Sequence, residues 1–253
     1  MKRFQLFLTA SLLLIATTAS AQFSNTGASS SKSKSGSGLS MNTDPYTRIF
    51  VGYSPLELTQ KASMPSREQK DDFKFKGITA GFVHGISLSN KLPFFVELGA
   101  NLQYSARKDE ESGEGYYDAW SWEEKYWFLS MNVPVNLSYK FTFADNKFGI
   151  TPFIGLNFRA NFTGEYNQTK EEGRWVDSCT RKLFDDSQDE MSISAWNHFQ
   201  MGLNVGINLN YKNLSLGVQY TTDFMPIFKF NDGPDYEYKG KLGVTTLSLG
   251  FLF

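Results

Sequence analysis

From Phe199 to Tyr211 the odd positions hold Phe199, Met201, Leu203, Val205, Ile207, Leu209 and Tyr211, and the even ones Gln200, Gly202, Asn204, Gly206, Asn208 and Asn210. A period of two puts these two rows on opposite faces of an extended chain, whereas a helix would mix them. The same alternation runs through Ile150, Ile154, Leu156 and Phe158 against Thr151, Gly155, Asn157 and Arg159. It recurs in Leu214, Leu216, Val218 and Tyr220 against Ser215, Gly217 and Gln219, and in Phe94 to Tyr104 and Trp127 to Phe141. The pattern predicts eight strands, over 48–54, 77–89, 94–107, 126–141, 148–162, 197–211, 214–222 and 242–253. An even number permits antiparallel closure, so the expected fold is all-β: an eight-stranded antiparallel up-and-down transmembrane β-barrel. His84 interrupts an otherwise lipid-compatible row of Ile78, Ala80, Phe82 and Ile86, and a bulge there would turn the imidazole inward.

The connections alternate in length. Asn90 to Pro93, Ala144 to Lys147 and Lys212-Asn213 are tight, while 55–76, 108–125, 163–196 and 223–241 are long and rich in charge. Short turns on one side and long loops on the other is the outer-membrane arrangement, and it predicts that the long segments face the cell exterior. No segment reaches the roughly 18 consecutive apolar residues of a spanning helix.

Alternation alone does not choose between lipid and water, because a soluble ligand-binding barrel has the same period. The polar face decides. It consists mainly of Gly, Asn, Ser, Thr and Gln, small groups that suit a crowded lumen, whereas a water-facing wall would carry Lys and Glu. The large apolar side chains must then face outward, which demands lipid. Trp127, Tyr139, Tyr211, Tyr220, Phe251 and Phe253 stand near strand ends, where aromatic girdles sit at headgroup level. The spacing Gly202-x-x-x-Gly206 lies inside a period-two stretch, so these glycines make room in the lumen and do not form a helix-dimerisation motif.

Composition adds the compartment. Lys2 and Arg3 precede the apolar run Phe4 to Ala16 and the small-residue pattern Ala19-Ser20-Ala21, which reads as a secretory signal peptide over residues 1–21. Residues 22–46 form a Ser-, Gly- and Lys-rich segment with little to bury, expected to be a flexible periplasmic tether, and 47–253 form the barrel. The net charge of −1 offers no basic stripe for nucleic acid.

The candidate chemistry is sparse. One cysteine, Cys179, excludes an intramolecular disulfide framework, and two histidines, His84 and His198, leave little for metal ligation, so neither metal nor cofactor is expected. Ser192, Ser194 and His198 lie close together and raise a lipid-modifying esterase as a minor alternative, but no acid is placed to orient the imidazole. Glu110-Glu111, Glu171-Glu172 and Asp185-Asp186 read as solvated surface ahead of cation sites. Eight strands leave an interior that side chains fill. By parity Glu97, Arg107, Lys140 and Arg159 point into it, with Glu97 and Lys140 the expected ion pair and Arg107 and Arg159 expected to meet loop acids near the outer rim.

Over residues 47–253 the chain resembles the Bacteroidetes-type outer-membrane β-barrel family, the PorT-like group. The resemblance is carried by Leu129-Ser130-Met131-Asn132-Val133-Pro134-Val135-Asn136-Leu137-Ser138-Tyr139-Lys140-Phe141, by Thr151-Pro152-Phe153-Ile154-Gly155-Leu156, and by Leu247-Ser248-Leu249-Gly250-Phe251-Leu252-Phe253. It implies a barrel without shared catalytic residues, surrounded by outer-membrane lipid and lipopolysaccharide, with Phe251 and Phe253 as the signal read by barrel-insertion machinery. Some relatives look like accessories of protein secretion, so secretion-system proteins are possible partners. The function expected is structural, adhesive or interacting through the outer loops, with a part in secretion or outer-membrane assembly as the alternative.

If the long segments face outward, Cys179 on intact cells reacts with a membrane-impermeant maleimide. Reaction only after the outer membrane is permeabilised would reverse the predicted orientation.

Overall fold

A computed structural model describes residues 42–64, 67–114, 119–144, 146–185, 196–231 and 237–253. Residues 1–21, read above as a signal peptide, and nearly all of the Ser/Gly/Lys-rich stretch lie outside the described residues, as do Ser192, Ser194 and Asp186. Among the described residues there are twelve strands, not the eight expected: β1 (Tyr46–Tyr53), β2 (Leu56–Met64), β3 (Arg67–Ser87), β4 (Phe94–Glu114), β5 (Ala119–Tyr139), β6 (Phe141–Phe143), β7 (Phe148–Glu172), β8 (Trp175–Lys182), β9 (Phe199–Tyr211), β10 (Leu214–Asp223), β11 (Phe228–Asn231) and β12 (Glu237–Leu252).

All belong to one antiparallel sheet with the order β1-β12-β10-β9-β7-β5-β4-β3-β2, and both β1 and β2 pair with β3 and with β12. The ladder therefore returns on itself. β1 uses the short-turn halves of its two neighbours and β2 the far halves, so together they occupy one place in the wall. The break between them is Ser54-Pro55, where proline has no N–H to give. Ser54 N still donates to Gly77 O at 2.8 Å and Pro55 O accepts from Thr245 N at 3.1 Å, which keeps the wall continuous. Gly77 is required there, because a Cβ at that position would collide with the Ser54 carbonyl oxygen.

The other extra strands arise in the same way, from breaks and extensions. Lys140 N leaves the ladder to donate to Pro93 O at 3.0 Å, which separates β6 from β5. β8 folds back on β7, and β11 pairs with the far end of β12. The connections expected as loops at 55–76, 108–125, 163–196 and 223–241 are thus largely ladder. A tilted spanning strand needs about 9–11 residues, whereas β3, β4 and β5 have 21 each and β7 has 25. The charges in the extensions sit on solvated faces and pair across strands, as in Lys61–Glu68 and Lys229–Glu237, both 2.8 Å. At the opposite end the turns are tight, with Ala144, Asn146 and Lys212 at positive φ.

The faces segregate as the alternation demands. Leu102, Ile154, Val205, Leu216 and Leu249 are exposed on the outer surface, while Asn132, Asn136, Asn157, Gln200 and Asn204 are buried inside. Rings cluster at the short-turn end, Phe94 on Tyr139 and Phe148 on Tyr211, with centroids 4.7 Å apart in each pair. Tyr104 and Trp127 stack at 6.2 Å where the extensions begin. A bulge between Leu129 and Ser130 of β5, opposite Phe162 of β7, flips the parity of β7 so that Gly164 and Tyr166 face inward beyond it.

No bulge occurs at His84. Its register is continuous with Thr47 on β1 and Leu98 on β4, and the ring stays on the outer face with Nδ1 2.8 Å from Thr47 Oγ1. The hydroxyl supplies the partner that an inward turn would otherwise have been needed to find.

Val205, mid-strand on the apolar belt, tests the outward assignment. Val205→Arg is expected to cost about 2–4 kcal/mol in urea unfolding from lipid vesicles, and Val205→Leu close to nothing; an equal, small effect of both would place this face away from lipid.

Candidate functional site

The interior is stacked in three storeys. At the short-turn end Tyr46, on the inward row of β1, donates its hydroxyl to Glu97 Oε1, and Asn136 Nδ2 donates to Glu97 Oε2 at 3.3 Å. Phe95 packs edge-on against Tyr46 at 5.2 Å. The expected Glu97–Lys140 pair is not formed. Lys140 lies at the break between β5 and β6 with its ammonium 5.1 Å from the Tyr46 ring centroid, and both Glu97 oxygens are already engaged. Arg48, two residues after Tyr46 on the inward row of β1, donates to Asn208 Oδ1.

The middle storey is an amide lattice. Asn132 donates to Asn101 at 3.1 Å and Gln103 at 3.2 Å and accepts from Asn157 at 3.0 Å. Asn204 donates to Asn136 at 2.9 Å and accepts from Thr221 at 3.1 Å. Asparagine suits this place because one side chain both donates and accepts, so each links two neighbours. Arg159 stands over the lattice, with Nη1 3.4 Å from Gln103 Oε1 and Nε 3.2 Å from Asp223 Oδ2. The Arg159 and Asp223 side chains are 1% and 0% exposed, so the partner of Arg159 is an acid within the barrel, not at its outer rim. Asp223 is the inward-facing end of β10, and Gly202 opposite it leaves the space that its carboxylate fills. A cavity of about 10 Å³ among Asn101, Gln103, Asn157, Arg159 and Thr221 is the space left here, room for about one water molecule.

The third storey is apolar and closes the far end. Leu56 and Leu58 of β2, Phe75 of β3, Phe128 of β5, and Leu242 and Val244 of β12 line the wall, and Leu183, Phe184, Trp196 and Ile227 fold in from the connections. Main-chain bonds pin the inserted residues: Leu183 N to Gly164 O at 2.9 Å, Trp196 N to Leu183 O at 2.7 Å, and Ile227 N to Gly240 O at 2.7 Å. His198 holds the same cap, its ring nitrogens 2.9 Å from Asn161 O and 3.0 Å from Phe184 O. Both nitrogens face carbonyl oxygens, so neither is directed at a nucleophile, and the serines raised for an esterase lie outside the described residues. Among the described residues no three His, Cys, Asp or Glu side chains gather as for a metal ion.

Beyond the cap the extended strands form an exposed sheet. Arg107 pairs with Asp109 and lies 4.5 Å over the Phe73 ring. Glu123 is held below the usual carboxylate range by hydrogen bonds from Lys108 and Lys125, and Glu237 likewise by Lys229 and Lys239. Burial, then the hydrogen bond to Glu124 at 2.5 Å, raises the Tyr166 hydroxyl well above its ordinary value.

Tyr46, Asp223 and the cap residues were missed in the sequence. Tyr46 shares the parity of Arg48 and Phe50 and was legible from them. Asp223 follows Thr221 on the inward row of β10, one residue beyond the strand 214–222 that the alternation predicts. Removing one partner of a buried pair leaves the other charge uncompensated. Arg159→Ala or Asp223→Ala is accordingly expected to cost about 3–5 kcal/mol in denaturant unfolding, and Arg159→Met with Asp223→Leu much less; similar losses in single and double variants would show that the pair is not the origin of the effect.

No curated protein matches the chain in sequence. Among solved structures it is similar to Ail of Yersinia pestis, with 12% identity over 81% of this chain and 99% of that one and a TM-score of 0.34. It is also similar to OprG of Pseudomonas aeruginosa, with 11% identity over 84% and 98% and a TM-score of 0.41. Neither likeness is close enough to transfer a role. A family model, the outer membrane protein beta-barrel domain, matches residues 21–229. The circular antiparallel ladder, the apolar outer face and this match agree, and the chain belongs to the outer membrane protein beta-barrel domain family and resides in the outer membrane.

Proposed function

We propose that the protein is a non-enzymatic, solute-tight barrel of the PorT-like type, with eight places in its transmembrane wall, that acts through its outer hairpins as an interaction or structural protein of the cell surface. The observation that carries this reading is the filled interior: among the described residues an amide lattice with an internal Arg–Asp pair lies under an apolar cap, with a cavity of about 10 Å³ beside Arg159. Ordered surface is then available only outside the membrane, where β2 to β5, β7 and β8 continue well past the apolar belt. Lipid and lipopolysaccharide surround the belt on this reading. Phe251 and Phe253, on the outer face with rings 5.1 Å apart, serve insertion. The cap residues are held by main-chain bonds on both sides, which supports a permanent seal.

Purified protein in planar bilayers is expected to give no stable single-channel currents. Glu97→Ala, which strips the Tyr46 hydroxyl of its acceptor, is expected to lower stability by about 1–3 kcal/mol without opening a pore. Large, stable currents absent from an unfolded control would overturn the sealed reading.

A further inference from the structure

The outer sheet has one face that continues the inner wall of the barrel above the cap. Two rows of residues cross its four strands in register: Gly113, Trp120, Glu172 and Trp175, then Glu111, Trp122, Lys170 and Asp177, on β4, β5, β7 and β8 respectively. Three of the five tryptophans of the chain therefore share one face. From strand geometry Trp120 and Trp122 stand about 7 Å apart along β5, and Trp175 about 10 Å from Trp120 across two strand spacings. Trp120 lies against the backbone of Gly113: a Cβ there would stand 2.9–3.0 Å from indole atoms Nε1, Cε2 and Cζ2. Trp175 is 84% exposed, the largest exposure of any large hydrophobic residue described. Leaving an indole in water at a hairpin tip contributes nothing to the packing of that hairpin.

The polar residues between the indoles are also unspent. Among the described residues, Glu111, Lys170, Glu172 and Asp177 make no ion pair or side-chain hydrogen bond, in contrast to the neighbouring Lys108, Glu123 and Glu124. Three carboxylates and one ammonium give these two rows a net charge of −2, which disfavours a polyanion. Carboxylates between flat aromatic rings match one ligand chemistry well. A sugar ring lays its C–H face on an indole while its hydroxyls donate to the carboxylates.

We propose that this face, with Trp120, Trp122 and Trp175 as platforms and Glu111, Glu172 and Asp177 as hydroxyl acceptors, is a binding site for a neutral oligosaccharide. It rests on the reading of the hairpins as the outward working surface. Gly113 is then a specificity element, because its missing side chain is what lets Trp120 lie down as a platform.

The test uses the full chain folded in detergent micelles, titrated with cellohexaose, mannohexaose, xylohexaose and chitohexaose and, separately, with a heparin hexasaccharide. Indole emission and calorimetry report binding. At least one neutral probe is expected to bind, Trp122→Ala and Trp175→Ala each to weaken it by about tenfold or more, and Trp127→Phe in the membrane girdle to leave it unchanged. Gly113→Val keeps all the indoles but lifts Trp120, so it is expected to weaken binding too. Heat-modifiable gel migration verifies that each variant is folded. Several outcomes would overturn the site: no neutral probe binding at about 1 mM, binding indifferent to the tryptophan substitutions, or binding of the polyanion alone. Capture of an extended peptide along the open edge of β8 that survives both tryptophan substitutions would assign the surface to strand addition instead. If no sugar binds while Cys179 is still labelled on intact cells, the saccharide site is wrong and the outward-facing reading stands; if Cys179 is labelled only after permeabilisation, both fall.

Discussion

Lipid offers no hydrogen bonds to a peptide backbone, and the rest of this structure follows from that constraint. Each N–H and C=O at membrane depth needs a partner within the protein, so the sheet must have no open edge there. Closure is achieved although the chain lacks a clean first strand. Ser54-Pro55 splits it into β1 and β2, and the two pieces share β3 and β12 between them. Gly77 and the Pro55 carbonyl hold the junction together where a second side chain or an unpaired acceptor would open it.

Closure also inverts the usual arrangement of side chains. Apolar rows turn outward, and the lumen must accommodate the polar rows. The lattice of Asn101, Gln103, Asn132, Asn136, Asn157 and Asn204 does so with neutral groups that donate and accept. The charges that enter are met by polar groups: Glu97 accepts from Tyr46 and Asn136, and Arg159 lies against Asp223. An unpaired charge in this interior would cost more than any single bond in the lattice supplies. At the far end the filling changes to Phe128, Trp196 and Ile227, which hold the cap by exclusion of water.

The extensions obey a different rule. Outside lipid both faces are solvated, so β4, β5, β7 and β8 can carry charge on either side and are kept in register by the ladder and by ion pairs such as Lys108–Glu123. Freed from filling a lumen, the inward row becomes a displayed surface. That is how the half-buried Trp120 and Trp122 and the exposed Trp175 come to share one face of a sheet whose strands β4, β5 and β7 continue from the barrel wall.

The barrel was legible in the sequence because a period of two is a local property, and the small polar residues on its even or odd rows named the lumen without reference to any partner strand. The inward direction of Glu97, Arg107, Lys140 and Arg159 followed from the same parity. Which of them meet did not. Pairing depends on the stagger between strands, which sets Arg159 beside Asp223, sixty-four positions along the chain, and leaves Lys140 over the Tyr46 ring. The strand count failed for a related reason: Asp, Glu and Lys in 108–125 and 163–172 are what a loop and a solvated hairpin have in common, and only backbone pairing separates them. The cap needed tertiary structure altogether, since Leu183, Phe184 and Trp196 carry no periodicity and acquire their role only where the chain folds them over the mouth that distant strands have formed.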